Sequence, residues 1–416
     1  MATDHSNRVT TSDALEILRS RGFIAQITDE AALSARLKAG PITFYAGFDP
    51  TAPSLHVGSC IPLFAMAHLA RAGHRAIAVL GGGTAMVGDP SGKTEMRQLV
   101  SAETIQANRR GIEPQVRNFV GPSATIVDNG DWLLPLNYVT FLRDIGRHFS
   151  VNRMLAAEAY KMRLEKGLSF IEFNYQLLQA YDFLALNQQF DCTLQVGGDD
   201  QWGNIIAGVD LIRRVQQKEA FGLTFPLLTT ASGAKMGKTA SGAVWLDPAQ
   251  TPPYDFFQYF VNVDDRDVVR FLKLLTFEPL DVIARFEEAQ GADLREAKRL
   301  LAHALTTIVH GRAVADQVAA AARAAFGGSG DHAALPTVRV SAAELAIGLK
   351  VVDLLAASGL AASKSAARRL VEQGGVRLGD RKVQSLDDVV SAEDVGTEGV
   401  LLYAGKKHIR KLVREG

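Results

Sequence analysis

An early segment alternates between strand and helix, and this pattern constrains the fold more strongly than any other feature of the chain. The apolar runs Ile42–Tyr45 and Ile77–Leu80 predict strands, and Gly58–Ala72 between them predicts a helix. Two strands joined by one crossover helix form a βαβ unit, which requires a parallel sheet. Because ligands of such sheets bind beyond the carboxyl ends of the strands, the loops after these two strands are the first candidates for a functional site.

The remaining chain predicts further strands, many helices and a small separate module. The other predicted elements are a helix at 14–18, a helix at 28–40, mainly helices over 101–170, one amphipathic helix over 171–190, a short strand at 192–196, an apolar run at 222–230 and helices over 252–325. A glycine-rich break at 327–330 precedes the module, which begins near Ser341.

Composition narrows the class of protein. With 416 residues, 47% apolar and 22% charged, the chain is typical of a soluble globular protein of about two to four domains. The formal net charge of zero excludes a wholly basic nucleic-acid binder but allows a locally basic module. Cys60 and Cys192 provide neither a disulfide framework nor a zinc site. Residues 1–11 lack the apolar core of a signal peptide, and no apolar run approaches about 18 residues, so we expect a cytoplasmic protein without a membrane segment.

A histidine and a glycine precede the first turn of the predicted helix after the first strand. In Leu55–Ser59, His56 can donate to a phosphate oxygen, and Gly58 permits close approach of a nucleotide. The free N–H groups and the dipole of the helix attract phosphate to the same place. For this short motif alone, a surface histidine in a loop is an equally good interpretation.

A second basic element is the loop Lys235–Thr239, which contains two lysines and a hydroxyl among small residues. Such a loop can close over a triphosphate and neutralise its charge. The alternative is a solvated basic loop, which is the usual explanation for an isolated pair of lysines.

The segment Gly88–Thr94 resembles a phosphate-binding P-loop, but its spacing excludes one. That motif has four residues between its glycines, whereas three residues separate Gly88 from Gly92. Asp89 would also place a carboxylate in an anion site.

Three polar residues share one face of the predicted helix 171–190. Tyr175, Gln179 and Asp182 are spaced four and three apart, and their neighbours are apolar. The face is therefore expected to line a partly buried pocket, although a solvated face is the alternative. The following stretch, Gln195–Asn204, concentrates glycines, acids and amides, and acids suit ribose hydroxyls or an ammonium group better than phosphate.

Taken together, six stretches resemble class I aminoacyl-tRNA synthetases, and specifically the bacterial tyrosyl-tRNA synthetases. They are Tyr45–Ala52, His56–Ser59, Gly88–Lys93, Phe173–Phe183, Asp200–Asn204 and Lys235–Thr239. The resemblance covers nearly the whole chain and implies an α/β protein. Its expected parts are a Rossmann-like parallel-sheet catalytic domain at 1–240 with a helical insertion at about 100–170, an α-helical anticodon-recognition domain at 241–326, a flexible linker at 327–345 and a small S4-like α+β RNA-binding domain at 346–416.

The resemblance also implies the role of each matching residue. Around tyrosine, it implies that the phenolic hydroxyl meets Tyr45 and Asp182, the ammonium group meets Asp89, Tyr175 and Gln179, and the carboxylate lies near Gln201. The implied ATP contacts are Gly47, Asp49, Thr51, His56, Gly58, Ser59, Asp200, Lys235 and Lys238. A catalytic role is implied for His56 on the phosphates, and stabilisation of the departing pyrophosphate or contact with the tRNA end is implied for Lys93, Arg97, Lys235, Lys238 and Thr239. ATP is a substrate accompanied by Mg²⁺, no residue is assigned to a metal, and no zinc is expected.

The chain departs from the family pattern in three places. Ser59 replaces the histidine that usually ends the first signature, so its ribose contact is expected to be lost or water-mediated. The lysine loop has Gly237 and Thr239 where the class consensus has two serines, although both lysines and a hydroxyl remain. Asp199 stands where a small serine is usual and adds a negative charge near the pocket.

The C-terminal module resembles an S4-type RNA-binding domain. Lys364, Arg368 and Arg369 lie on neighbouring turns of one predicted helix, and such a face binds phosphate backbone. The tail adds the basic residues Lys406, Lys407, Arg410, Lys411 and Arg414. A solvated basic surface is the alternative.

The resemblance implies that the chain activates L-tyrosine with ATP, passes it to tRNA(Tyr), and forms a homodimer with Phe141–Asn152 as a candidate interface. Two rival functions stay open. A tryptophan-specific synthetase shares the fold, although Tyr45 and Asp182 suit a phenol better than an indole. An RNA-binding protein that keeps the scaffold without aminoacylation is the second rival, and the intact His56 and Lys235 argue against it.

Overall fold

The strand–helix–strand pattern forms the centre of a six-stranded sheet. The computed structural model describes residues 14–91, 100–165, 167–234, 236–239, 242–325, 335–405 and 408–415. The strands of this sheet are β1 (Gln26–Ile27), β2 (Thr43–Phe48), β3 (Arg75–Leu80), β4 (Thr125–Asp128), β5 (Cys192–Gly198) and β6 (Phe221–Phe225). Their order is β1-β6-β5-β2-β3-β4, and all neighbours are parallel except β1, which is antiparallel to β6. The predicted parallel sheet is therefore confirmed.

The direction of the strand order reverses between β2 and β5. From β2 the chain proceeds outward to β3 and β4, and it then returns to the other side of β2 for β5 and β6. The carboxyl ends of β2 and β5 flank a crevice at such a reversal, which is where ligands of open parallel sheets bind. The central strands are buried along almost their whole length, as expected for a sheet covered on both faces.

Ten helices accompany this sheet in the described part of the chain before residue 217. They are α1 (Ala14–Arg21), α2 (Glu30–Lys38), α3 (Cys60–Arg71), α4 (Ala102–Val120), α5 (Gly130–Leu133), α6 (Tyr138–Asp144), α7 (Val151–Leu155), α8 (Glu158–Leu164), α9 (Phe170–Phe190) and α10 (Trp202–Gln216). The predicted helix 171–190 is confirmed as α9, which begins at a capping box formed by Ser169 and Glu172. No helix among the described residues is long and apolar enough to cross a membrane.

One strand lies inside the region predicted to be mainly helical. β4 adds to β3 at the edge of the sheet, within the proposed insertion at about 100–170. It has only four residues, so it offers no alternating pattern long enough to distinguish it from the helices on either side. The difference matters because the residues directly after β4 belong to the site described below.

A second compact unit comprises Gly237–Val269 and Asp281–Gly416, whereas Arg270–Leu280 groups with the first unit, Met1–Met236. Its first elements are β7 (Lys238–Thr239), β8 (Gly242–Ala243), α11 (Pro253–Val261), α13 (Leu280–Ala284), α14 (Gly291–His310) and α15 (Arg312–Ala325), whereas most of α12 (Val268–Leu275) belongs to the segment that groups with the first unit. We call α11, α14 and α15, which pack on one another, the helical domain. Buried Phe256, Phe260 and Leu301 belong to these helices.

The C-terminal module, residues 335–415, is an α+β fold with its own core. Its elements are β9 (Thr337–Val340), α16 (Ala342–Ile347), β10 (Leu349–Lys350), α17 (Val351–Ala357), α18 (Lys364–Glu372), β11 (Val376–Leu378), β12 (Arg381–Lys382), β13 (Val389–Val390), α19 (Ala392–Val395), β14 (Val400–Ala404) and β15 (His408–Arg414). A five-stranded sheet in the order β12-β11-β14-β15-β9 covers a cluster that includes Val351, Leu355 and Leu412. The segment predicted to be a linker, 327–345, contains β9, while the glycine-rich break lies outside the described residues.

Gly111 marks the closest approach of α4 to the loop after β2. A Cβ at this position would lie 2.2 Å from the carbonyl oxygen of Pro53. We predict that Gly111→Ala lowers the free energy of unfolding by about 1–3 kcal/mol, because the overlap outweighs the better helix propensity of alanine. Denaturant unfolding of the full chain measures this change. Gly203→Ala in α10 is the control, since the nearest atom to its Cβ would be 3.6 Å away. An unchanged or raised stability of Gly111→Ala would contradict the close contact.

Candidate active site

Asp49 connects the loops that follow β2 and β3. Its carboxylate accepts hydrogen bonds from Thr84 Oγ1 at 2.7 Å and from the hydroxyl of Tyr175 on α9 at 2.9 Å. A Cβ on Gly81 would lie 2.1 Å from Asp49 Oδ1, so only glycine permits this approach. Burial raises the pKa of Tyr175 well above 10, and the charge of Asp49 raises it further, so Tyr175 stays a hydrogen-bond donor.

Asp182 lies buried on the same face of α9, between two donors that follow β4. Asn129 Nδ2 donates to one carboxylate oxygen at 2.9 Å, and Trp132 Nε1 donates to the other at 2.7 Å. Asn129 Nδ2 also reaches Thr84 Oγ1, which connects this pair to Asp49. Burial raises the pKa of the Asp182 carboxyl to about 7, while the hydrogen bonds from Asn129 and Trp132 oppose the increase.

Tyr45 on β2 shares this interior with Asp182. Its ring packs against Phe183 with centroids 5.3 Å apart, and its hydroxyl is buried without a hydrogen-bond partner among the described residues. Burial raises the pKa of the Tyr45 phenol, and the negative charge of Asp182, the residue before Phe183, raises it further. A buried hydroxyl without a partner costs about 1–3 kcal/mol, so a ligand that supplies one would bind favourably here.

A second polar cluster joins the loop after β3 to the start of α10. Gln201 Nε2 donates to Asp89 Oδ2 at 2.7 Å, and Asp89 Oδ1 accepts from the amide of Ser91 at 2.8 Å. Asn204 Nδ2 donates to the side-chain oxygens of Gln179 and Gln201, both at 3.1 Å. Because Gln179 lies one turn from Tyr175 on α9, the two clusters line one continuous surface.

The turn before α3 is organised by His56. Its Nδ1 accepts from the backbone amide of Gly58 at 2.9 Å, so a neutral ring carries its proton on Nε2 and can donate from that atom. A Cβ on Gly58 would lie 2.6 Å from the imidazole, which explains the glycine. The carbonyl oxygen of Met236 would lie 3.6 Å from the same Cβ, so the buried start of the lysine loop runs beside this turn.

Acidic residues after β5 border a cavity of about 640 Å³, which is lined by Asp199, Asp200, Gln26, Asn204 and Arg214 among others. Asp199, the departure from the family pattern, accepts hydrogen bonds from Gln26 Nε2 at 2.7 Å and Thr224 Oγ1 at 2.8 Å. Its extra charge is therefore hydrogen-bonded to β1 and β6 and braces the loop that carries Asp200.

The remaining predicted residues differ in how they are placed. Gly47 interrupts the buried pattern of β2 with an exposed position that faces open space, and Thr51 is exposed in the next loop. Ser59 is half-buried at the start of α3 and makes no side-chain capping bond. Lys238 and Thr239 form the backbone of β7, and the predicted residues Lys93, Arg97, Lys235, Lys406 and Lys407 lie outside the described residues.

Four residues of the site were not predicted from the sequence: Thr84, Asn129, Trp132 and Asn204. Thr84 follows the glycine run after β3, a loop that the strand pattern already indicated. Asn204 falls within the polar stretch that was noted without an individual role. Asn129 and Trp132 had no such signal, because β4 was not recognised as a strand.

The predicted RNA-binding helix is α18, and its basic residues are not equivalent. Arg368 and Arg369 are exposed, whereas Lys364 forms an ion pair with Asp353 at 2.7 Å. Arg410, predicted as part of a basic tail, is only 9% exposed and forms an ion pair with Asp255. That prediction is wrong for Arg410, because its charge is already neutralised inside the protein.

The raised pKa of Asp182 generates a prediction about stability and pH. An unfolded aspartate ionises near pH 4, whereas folded Asp182 ionises near 7, so the native carboxyl keeps a proton that the unfolded chain releases. The contribution of Asp182 to the free energy of unfolding of the unmodified protein therefore falls as the pH rises from about 4 to 7. Asp182→Asn has no such dependence and should gain relative stability by roughly 1 kcal/mol per unit between about pH 5 and pH 7. Denaturant unfolding without ligands measures this, and a constant difference between the two proteins would contradict it.

Family profiles and sequence relatives match nearly the whole chain. The family profile described as class I tRNA synthetases (W and Y) matches residues 37–327, and an S4 domain profile matches residues 349–395. The tyrosine–tRNA ligase of Desulfosudis oleivorans is 51% identical over 96% of this chain and 98% of its own length. That of Clostridium beijerinckii is 51% identical over 96% of this chain and 99% of its own.

Solved structures agree with the sequence relatives. A C-terminally truncated mitochondrial tyrosyl-tRNA synthetase from Aspergillus nidulans matches 75% of this chain and 94% of its own, with a TM-score of 0.68 and 31% identity. A tryptophanyl-tRNA synthetase from Encephalitozoon cuniculi, at 14% identity and a TM-score of 0.55, shares the fold. The chain belongs to the tyrosine–tRNA ligases, within the class I aminoacyl-tRNA synthetases.

Proposed function

We propose that this pocket joins L-tyrosine to tRNA(Tyr) in two steps. The tyrosine carboxylate attacks the α-phosphate of ATP and releases pyrophosphate, and a terminal ribose hydroxyl of the tRNA then takes the tyrosyl group from the adenylate. The observation that carries this proposal is the buried, unpartnered hydroxyl of Tyr45 at a strand reversal, on a ring that packs against Phe183, the residue after Asp182.

The phenolic hydroxyl of the substrate completes the hydrogen bonds of this buried corner. Asp182 accepts a hydrogen bond from this hydroxyl, and the hydroxyl of Tyr45 donates a second one to its oxygen. Asn129 and Trp132 fix the carboxylate in place, so the corner is organised before the ligand arrives. Phenylalanine leaves the Tyr45 hydroxyl without a partner and offers Asp182 no additional hydrogen bond, which provides the discrimination.

The ammonium group of tyrosine binds at the second cluster. Asp89 provides the negative charge. Tyr175 and Gln179 provide oxygen atoms from the face of α9 that also carries Asp182. Gln201 already donates to Asp89 and lies near the substrate carboxylate. Holding both ends of the amino acid orients its carboxylate for attack, so no protein nucleophile is needed.

ATP lies across the carboxyl ends of β2 and β5. Gly47 and Asp49 approach the nucleotide from β2, Asp200 binds the ribose, and His56 Nε2 donates to the phosphates. ATP brings Mg²⁺ with it. The other phosphate contacts are Thr51, Gly58, Ser59, Lys93, Arg97, Lys235, Lys238 and Thr239, whose donors stabilise the departing pyrophosphate or reach the tRNA end.

The second unit binds tRNA. Arg368 and Arg369 on α18 contact its phosphate backbone in a salt-dependent way, and Lys364, Lys406 and Lys407 extend this surface. The helical domain recognises the anticodon. The protein works in the cytoplasm, where tRNA and ATP are available.

The protein acts as a homodimer through exposed apolar residues, which occur in the stretch of sequence from the end of α5 to the start of α9. Val139 is 72% exposed and Phe170 is 71% exposed, values that are unusual for side chains of this kind. The other exposed apolar residues of this stretch are Leu134, Tyr138, Leu142, Val151, Leu164 and Ile171. Phe141, in the interface segment expected from the sequence, is buried in the core of its own chain.

Pyrophosphate exchange tests the function and its rivals. We expect purified protein to exchange pyrophosphate into ATP with tyrosine but not with tryptophan, and to charge tRNA(Tyr). Exchange with tryptophan alone would establish the first rival. RNA binding without any exchange would establish a scaffold that has lost aminoacylation.

Replacement of Asp182 tests the assigned recognition of the phenol. We predict that Asp182→Ala lowers kcat/KM for tyrosine and reduces its preference over phenylalanine by about 5- to 150-fold, since an interaction of about 1–3 kcal/mol is lost. Gln188→Ala, an exposed position on the same helix, is the control. An unchanged ratio between the two amino acids would refute the role of Asp182.

A charge among the exposed apolar residues tests the dimer. We predict that the parent sediments as a dimer and that Phe170→Asp sediments as a monomer, because an unpaired carboxylate would be buried in the interface. Phe190→Asp, at the other end of α9 and also exposed, should leave the dimer intact. A monomeric parent, or a dimeric Phe170→Asp, would contradict the interface.

A further inference from the structure

Arg410 connects three elements of the second unit. Its guanidinium donates to both carboxylate oxygens of Asp255 on α11, at 2.9 and 2.7 Å, in a bidentate ion pair. Its Nε donates to the carbonyl oxygen of Ser358, at the end of α17, at 3.2 Å. Arg410 itself lies on β15, so one side chain links the C-terminal module to the helical domain.

The surroundings of this pair distinguish it from a surface ion pair. The Arg410 side chain is 11% exposed and that of Asp255 is 24% exposed. Asp255 lies in the first turn of α11, where the helix dipole favours a negative charge. The adjacent Tyr254 is almost fully buried. Fixed geometry and limited solvent make such a pair stronger and more specific than exposed pairs.

We propose that the ion pair between Arg410 and Asp255 is a latch that holds the C-terminal module against the helical domain, and so positions α18 for tRNA. The proposal rests on the function proposed above. Both residues are positioning residues, because they act on tRNA through the placement of Arg368 and Arg369.

The latch is separable from folding of the module. The C-terminal module has its own buried core, which includes Val351, Leu355 and Leu412 and, among the described residues, is formed by the module alone. Loss of the latch therefore leaves the module folded but free to move on its connection. A binding surface that moves has a lower effective concentration at its site, so tRNA binding weakens while tyrosine activation in the first unit is unaffected.

Kinetics of the full chain provide the first test. We expect Asp255→Asn and Arg410→Ala each to raise the KM for tRNA, on the order of tenfold, with unchanged tyrosine-dependent pyrophosphate exchange. Arg410→Lys, which keeps the charge but not the bidentate geometry, should give a smaller increase. The double variant should be no worse than the more affected single variant, because both changes remove the same link. Asp281→Asn, an exposed acid in the first turn of α13, is the matched control.

Three outcomes would overturn the latch. An effect of Arg410→Ala without one of Asp255→Asn would make Arg410 an RNA contact, since removing an acid does not weaken binding to phosphate. Effects that multiply in the double variant would mean that the residues act independently. An unchanged KM for tRNA in both single variants would show that the pair has no role in tRNA use.

A distance measurement provides the second test and does not depend on catalysis. Spin labels at Arg295→Cys on α14 and Glu372→Cys on α18 report the separation of the two parts without tRNA. We expect a narrow distribution in the parent and a broad one with Asp255→Asn, and an unchanged distribution would overturn the latch. A parent that charges no tRNA would refute the proposed function, whereas this measurement would still test the latch.

Discussion

The parallel alignment of β2, β3, β4 and β5 determines the site, because it brings the residues after each strand to one edge of the sheet. Several of these residues are acids, and carboxylates in a partly buried space repel one another. The structure satisfies them mainly with neutral donors. These donors are Thr84, Tyr175, Asn129, Trp132 and Gln201. The acids therefore keep their negative charge and can still accept hydrogen bonds from an ammonium group or from hydroxyls. A lysine or arginine paired with each acid would neutralise this charge.

α9 carries residues of both polar clusters of the candidate site. Tyr175, Gln179 and Asp182 face the pocket from successive turns, so any rotation of the helix would move all three together. Its start is fixed by the capping box at Ser169 and by Glu172, which also forms a buried ion pair with Arg163, both side chains being 4% exposed. A rigid helix of this kind preserves the spacing between the two polar clusters, on which orientation of the substrate depends.

The sequence predicted those parts of the molecule that have a local pattern. The βαβ unit, the helix that carries Tyr175 and the grouping of its polar residues follow from periodicity within one segment. β4 was missed because four residues cannot show a period, and the two donors that follow it were missed with it. The hydrogen bonds of Trp132 and Tyr175 join residues 50 and 126 positions apart, and no local pattern encodes such pairs.

Contacts between residues distant in sequence also explain why the basic residues of the C-terminal module could not be told apart by sequence alone. In the sequence, Arg410 and Arg368 are equivalent cations that suit an RNA surface. The structure separates them by burial and by partner, since Asp255, which neutralises Arg410, lies 155 positions away. A cation with a bidentate partner inside the protein has little charge to offer a phosphate, whereas an exposed arginine on α18 retains its charge. Charge patterning therefore locates a basic module, but burial decides which of its cations are exposed and which are paired inside the protein.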